Sequence, residues 1–152
     1  MSIMARLAKA GLTLPDPPKP GGAYSPTILS GQLLFISAQF PIVNSELRYQ
    51  GRLGDDLSTE DGYQAARLAA LNVLSQINAA LSGFDRLRQI VRLEGHLRTT
   101  PEFREHARVL DGASHLFHEI LVEKAGHVRA LYGHTSLPLN LPVELVVIAE
   151  VD

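Results

Sequence analysis

The sequence predicts a single α+β domain, a mixed sheet with two main helices packed on one face. Three observations carry that expectation. Residues 15–22 (PDPPKPGG) hold four prolines and two glycines, a run that excludes regular helix or central strand and so acts as a stiff connector. Residues 59–82 repeat apolar side chains at three- and four-residue steps, the period of a helix. The two most apolar stretches, 32–40 and 142–151, are apolar on both sides of a two-residue repeat, as strands buried on both faces are.

Taken in order, residues 1–20 form an N-terminal arm with its proline-rich connector, and residues 21–152 form the domain. The arm (MSIMARLAKAGLTL) lacks a sustained apolar core and reads as an amphipathic arm or short helix, not a signal peptide. The first strand is 32–40, with Leu33, Leu34, Phe35 and Ile36 apolar without alternation. Ser58, with Asp61 three residues on, opens the first main helix, and Tyr63, Ala66, Ala70, Leu74, Ile77 and Leu81 form its stripe. Gly83 stops it. A strand at about 88–97 sets Val91, Leu93 and Leu97 against Arg92, Glu94, His96 and Arg98. Thr100 and Pro101 are expected as N-cap and first residue of a second helical region, whose later part, about 107–125, carries Leu110, Ala113, Phe117 and Leu121 on one side. Strands at about 128–136 and 142–151 complete the order strand, helix, strand, helix, strand, strand. Two helices cover one sheet face, so the other apolar face calls for a partner, and a homo-oligomer packed sheet face to sheet face is expected.

Composition narrows the function. The chain has 152 residues and no cysteine, which removes disulfides, thiolate metal sites and a cysteine nucleophile. A cysteine-free chain without an apolar run of membrane-spanning length is expected in the cytoplasm. A net charge of −2, with Arg86, Arg88 and Arg92 as the densest basic cluster, gives no basic stripe, so nucleic acid is not an expected partner. Six histidines raise a metal, and His115 and His118 could share a helix face, but no HExxH motif or placed acidic ligand accompanies them. Neither metal nor cofactor is expected.

Arg129 is the leading candidate for chemistry. By two-residue alternation it shares a face with Leu131 and Gly133, and a guanidinium on an apolar face needs a partner. Its planar fork suits a carboxylate or phosphate. From spacing alone, a structural ion pair with Glu144 or Asp111 explains it as well. Tyr24 follows Gly21, Gly22 and Ala23, a stretch whose backbone can approach a ligand closely, and Ser37 lies at the end of the first strand. No Gly-Lys-Ser/Thr follows those glycines, so this is not a phosphate loop. The acidic pairs Asp55-Asp56 and Glu60-Asp61 flank a helix start, where they complement its dipole.

These residues fall into a recognisable pattern. Arg129-Ala130-Leu131-Tyr132-Gly133-His134-Thr135-Ser136-Leu137-Pro138, followed by Val143-Glu144-Leu145, resembles the C-terminal signature of the Rid (YjgF, L-PSP) family. Ser37-Ala38-Gln39 with Pro41 resembles that family's Ser-Gly-Gln-x-Pro, and Gly22-Ala23-Tyr24-Ser25 its Gly-Pro-Tyr-Ser loop. The match covers roughly residues 20–151. The resemblance implies a chorismate-mutase-like fold, a homotrimer, and clefts between subunits that bind small carboxylate-bearing metabolites. It implies hydrolysis of an enamine or imine to a 2-keto acid and ammonia. Arg129 would hold the substrate carboxylate, Tyr24 and Ser37 would line the pocket, and Asp111 would stand where an Asn lines the site. The resemblance places the water-activating Glu at the position of Val146, with Glu144 turned to the opposite face, so the usual base is missing. His127 and Thr135 also depart from the signature. A non-catalytic metabolite-binding or regulatory module on the same fold is the alternative, and an endoribonuclease, the name part of the family carries, is disfavoured by the acidic balance.

Overall fold

The computed structural model describes residues 1–152. Its elements are α1 (Ile3–Lys9), β1 (Thr27–Ser30), β2 (Leu33–Gln39), β3 (Ile42–Val43), β4 (Glu46–Leu47), α2 (Thr59–Leu81), β5 (Leu87–Arg98), α3 (His106–Leu121), β6 (Val128–His134) and β7 (Val143–Val151). The main sheet runs β1-β2-β7-β5-β6, and β3 with β4 makes a separate ribbon. Only β5 and β6 pair in parallel. Parallel neighbours need a long crossover, and α3 supplies it.

The long helix forms as the sequence predicts. The Ser58 hydroxyl accepts from the Asp61 N–H at 3.0 Å, and the Asp61 carboxylate accepts from the Ser58 N–H at 2.9 Å, a closed capping box. Helices α2 and α3 pack over the face of the sheet that carries Ile36, Leu93, Leu97, Leu145, Val147 and Ala149, all buried. They cross at Gly112, where a Cβ would stand only 2.0 Å from the Tyr63 carbonyl oxygen. Ile3 and Leu7 of α1 bury in the same core, and the Arg6 guanidinium donates to the Ile120 carbonyl at 2.6 Å. The arm is thus docked against α3.

Polar residues of α2 hold the connector. Ser75 donates to the Pro15 carbonyl at 2.6 Å and Gln76 to the Pro18 carbonyl at 2.9 Å. Asn72 donates to the carbonyls of Phe40 and Ile42 at 2.8 and 2.7 Å. All three side chains are buried, so each bond satisfies a donor that folding has removed from water.

Several expectations are corrected. Thr100 and Pro101 do not start the second helix, which begins at His106 with Glu105 as an N-cap that makes no side-chain bond. The Thr100 N–H instead donates to the Leu53 carbonyl at 3.0 Å, pinning the segment to the loop before α2. The helix ends at Leu121, and Val122–Lys124 continue as a tighter 3₁₀ turn. The edge strand β1 and the two-residue strands β3 and β4 were not expected, because runs so short carry no periodicity. The second sheet face is uncovered in the single chain. Ile28, Leu33 and Phe35 lie on it, 55%, 37% and 41% exposed, beside the half-buried Val146 and Ile148. No helix is long and apolar enough to cross a membrane.

Candidate functional site

A cavity of about 680 Å³ opens where β2 ends and β7 begins. It lies within the size range of small-molecule sites. Lys19, Tyr24, Ser37, Gln39 and Glu144 line it together with the turn at Pro138. Pairing of β2 with β7 shifts between Ile36 and Gln39, a bulge that turns Gln39 inward and leaves Ser37 and Ala38 at the cavity wall. Bulges re-aim side chains in this way beside functional sites.

The cavity's neutral groups are held in place. The Ser37 hydroxyl donates to the Ser25 carbonyl at 2.8 Å, and Gln39 donates to the Ser37 carbonyl at 3.0 Å. The Tyr24 phenol oxygen accepts from the Gly21 N–H at 3.2 Å, which leaves its own proton free to donate. Leu139 and Asn140 take left-handed backbone conformations with φ of 60° and 57°. Their carbonyls accept from the Gln50 side chain at 3.0 Å and the Gly51 N–H at 2.8 Å, which fixes a strained turn at the cavity rim.

Glu144 brings a carboxyl group to this cavity. Burial pushes its pKa above the usual carboxylate range, an effect the nearby His96 and His134 partly offset. The expectation that Glu144 faces away from the position of Val146 is wrong. Residues two apart on a strand share a face, and Glu144 and Val146 both lie on the open side of β7, opposite His96 and Glu94 of β5. Glu144 therefore contributes a carboxyl to the cavity lining, and Val146 does not line it.

Arg129 lies elsewhere within the chain. It pairs across the ladder with Leu93, on the helix-covered side of the edge strand β6. Its guanidinium donates to the Asp111 carboxylate at 2.8 Å, to the Ser114 hydroxyl at 3.1 Å and to the Ala107 carbonyl at 3.4 Å. Of the two ion-pair partners open on spacing, the fold selects Asp111. Ser114 sits 2.9 Å from His127 Nε2, and His127 Nδ1 is 2.8 Å from the Ala125 carbonyl. A carbonyl only accepts, so Nδ1 carries the proton and Ser114 donates to Nε2. Burial, the largest influence, holds the His127 pKa below the usual value and keeps the ring in this neutral form. The four residues singled out from sequence thus form two groups. Tyr24 and Ser37 meet Glu144 at the cavity, and Arg129 meets Asp111 behind the sheet edge. Gln39 and His127 entered only as parts of a motif, with no role in a site, and Lys19 and Ser114 were not singled out; the proline-lysine-proline step at 18–20, a cation on a stiff strap, was the one available signal for Lys19.

A five-stranded mixed sheet, two helices on one face and a cavity at the end of the central strands define a chorismate-mutase-like α+β protein. The model of the family described as "YjgF/chorismate_mutase-like, putative endoribonuclease" matches residues 4–151, and the chain belongs to that family. It is 34% identical over 151 residues to Protein TCP17 of Trypanosoma cruzi, covering 99% of this chain and 94% of that one. A crystal structure from Shewanella oneidensis MR-1, bearing the same endoribonuclease description, is 39% identical with a TM-score of 0.97, covering 99% of this chain and all (100%) of that one. Escherichia coli TdcF, crystallised with bound serine, shares the fold at 19% identity and a TM-score of 0.63, covering 92% of this chain and 96% of that one.

Proposed function

We propose that this protein binds a small carboxylate-bearing metabolite at its cavity and hydrolyses its imine or enamine form. The observation that carries the reading is Glu144, a carboxyl raised in pKa by burial that shares a cavity wall with Tyr24 and Ser37. A carboxyl of that kind is a stronger base than an ordinary carboxylate and can take a proton from water and return it. Serine bound to TdcF is itself a small carboxylate, a ligand class that fits a cavity of this size. Arg129, on an edge strand behind the sheet, reaches such a ligand from a neighbouring copy, which is how a homotrimer with interfacial clefts would join the two groups. The exposed Ile28, Leu33 and Phe35 supply apolar surface for that assembly.

In the reaction, Glu144 accepts a proton from water as the hydroxyl oxygen bonds to the imine carbon. Glu144 returns that proton to the nitrogen, giving a carbinolamine. Glu144 then carries the carbinolamine hydroxyl proton to the nitrogen as the carbon–nitrogen bond breaks, and ammonia and the 2-keto acid leave. Arg129 and the Tyr24 phenol hold the carboxylate. A purely binding role, the alternative reading, would use the same cavity and Arg129 without Glu144 acting as a base.

The test is incubation with freshly generated 2-iminopropionate while pyruvate and ammonia are followed. We expect acceleration over buffer and a loss of about 10²-fold or more in Glu144→Gln. No acceleration by the wild-type protein overturns the hydrolase reading and leaves the binding module. Ribonuclease activity that survives exhaustive purification and falls steeply with salt overturns both.

A further inference from the structure

The open face of the sheet carries a polar network that the proposed reaction does not use. Arg92, Glu94, His96 and Arg98 alternate along β5 on that face. Glu94 accepts from Arg92 at 3.3 Å and lies 3.0 Å from His96 Nε2. His96 Nδ1 is 2.7 Å from His134 Nε2 on β6. The His96 ring lies on Tyr132, centroids 5.1 Å apart at 17°, and edge to edge with His134, centroids 4.9 Å apart at 27°. Across the other edge of β5, the residue directly opposite His96 is Glu144.

We propose that His96, fixed by Glu94 and His134, is a positioning residue that sets the proton on Glu144. The proposal rests on the reading that Glu144 works in the cavity. Directly opposed residues of an antiparallel pair have Cβ atoms about 4.5–5.5 Å apart, so His96 and Glu144 are electrostatic neighbours. The proton inventory gives the network its effect. Glu94 is held below the ordinary carboxylate range chiefly by its bond from His96, and so stays an acceptor. His96 Nε2 therefore carries a proton, and the 2.7 Å contact to His134 holds one more between two ring nitrogens. His96 and His134 favour ionised Glu144, against burial and the Glu94 charge, which favour its neutral form.

The other charged or titratable groups around Glu144 enter the same balance. Arg98 pairs in register with His134 and makes no ion pair, and its Nε is buried without a partner. Lys19 and Tyr24 face the carboxyl from the cavity side, and Tyr132 flanks His96 on β6.

The test follows the Glu144 side-chain carboxyl by carbon-detected NMR titration of the full-length protein, with Glu144→Gln assigning the signal. In His96→Gln the titration midpoint should rise by about half a pH unit, as removal of one neighbouring charge predicts. His134→Gln, a second variant in case the first fails to fold, should raise it in the same direction. The acid limb of the kcat profile for 2-iminopropionate should move with it, while KM changes less than about twofold. A Glu144 midpoint unmoved in both variants overturns the proposal. If the midpoint moves but the wild-type protein hydrolyses no imine, the hydrolase reading falls and the coupling of His96 to Glu144 stands.

Discussion

Replacing Gly112 by Ala should destabilise this protein more than any other small-to-small exchange in its helices. The added methyl would lie 2.0 Å from the Tyr63 carbonyl oxygen, 2.9 Å from its carbonyl carbon and 3.2 Å from the Arg67 nitrogen. All three are backbone atoms of α2, and backbone cannot rotate aside. The helices must part by roughly 1 Å, loosening the packing between the buried faces of α2 and α3. Ala favours helix over Gly by about 1 kcal/mol, which offsets part of the loss. Overpacking costs about 1–3 kcal/mol when side chains can yield, and more here, so the net loss should be about 3 kcal/mol. In a domain of this length that lowers Tm by roughly 6–12 °C.

Gly62→Ala is the control. Its methyl would meet side-chain atoms, Leu53 at 2.7 Å and Val109 at 2.8 Å, which can shift. Its loss should be about 1 kcal/mol. Thermal and urea unfolding of both variants measure the difference. A Gly112→Ala protein as stable as wild type, or more stable than Gly62→Ala, would refute the claim that the helix crossing admits no Cβ. The effect reaches the site as well, because Asp111 and Ser114 flank Gly112 on α3 and both hold Arg129.

Further outcomes follow from the same structure. Burial raises the Glu144 pKa in the fold, so folding favours its protonated form; that contribution is present at low pH and is lost as pH rises through the raised value. Glu144→Gln should therefore raise the urea midpoint at pH 8 and lose that gain near pH 4, by less than about 1 kcal/mol for a half-buried group. Gln76→Ala removes the donor to the Pro18 carbonyl and should make the connector at residues 15–22 cleave faster under limited proteolysis, with little change in Tm.

Local signals in this sequence were legible and non-local ones were not. Ser58 and Asp61 announce α2 because a capping box is written within four residues, and the stripe behind it repeats with the helix period. Alternation put Arg129 and Leu131 on one face, as found. The same rule, wrongly applied, separated Glu144 from Val146, although residues two apart must share a face. The convergence of Tyr24, Ser37 and Glu144 depends on the β2–β7 register and its bulge, which pair residues more than a hundred positions apart. The contact of His96 with His134 depends on the parallel register of β5 and β6, set by α3 and invisible to any window of sequence. The choice of Asp111 over Glu144 as the partner of Arg129 likewise required knowing which side of the sheet the guanidinium faces.

In the proposed function one small carboxylate touches both the cavity and Arg129. Titration of the isotopically labelled protein with pyruvate, read by NMR at the Tyr24 and Ser37 amides, the Glu144 carboxyl and the Arg129 Nε, tests it most directly. All four signals should move together along one saturation curve, and Arg129→Ala should abolish that curve. Saturable binding that leaves Tyr24, Ser37 and Glu144 unmoved, or that persists unchanged in Arg129→Ala, would contradict it.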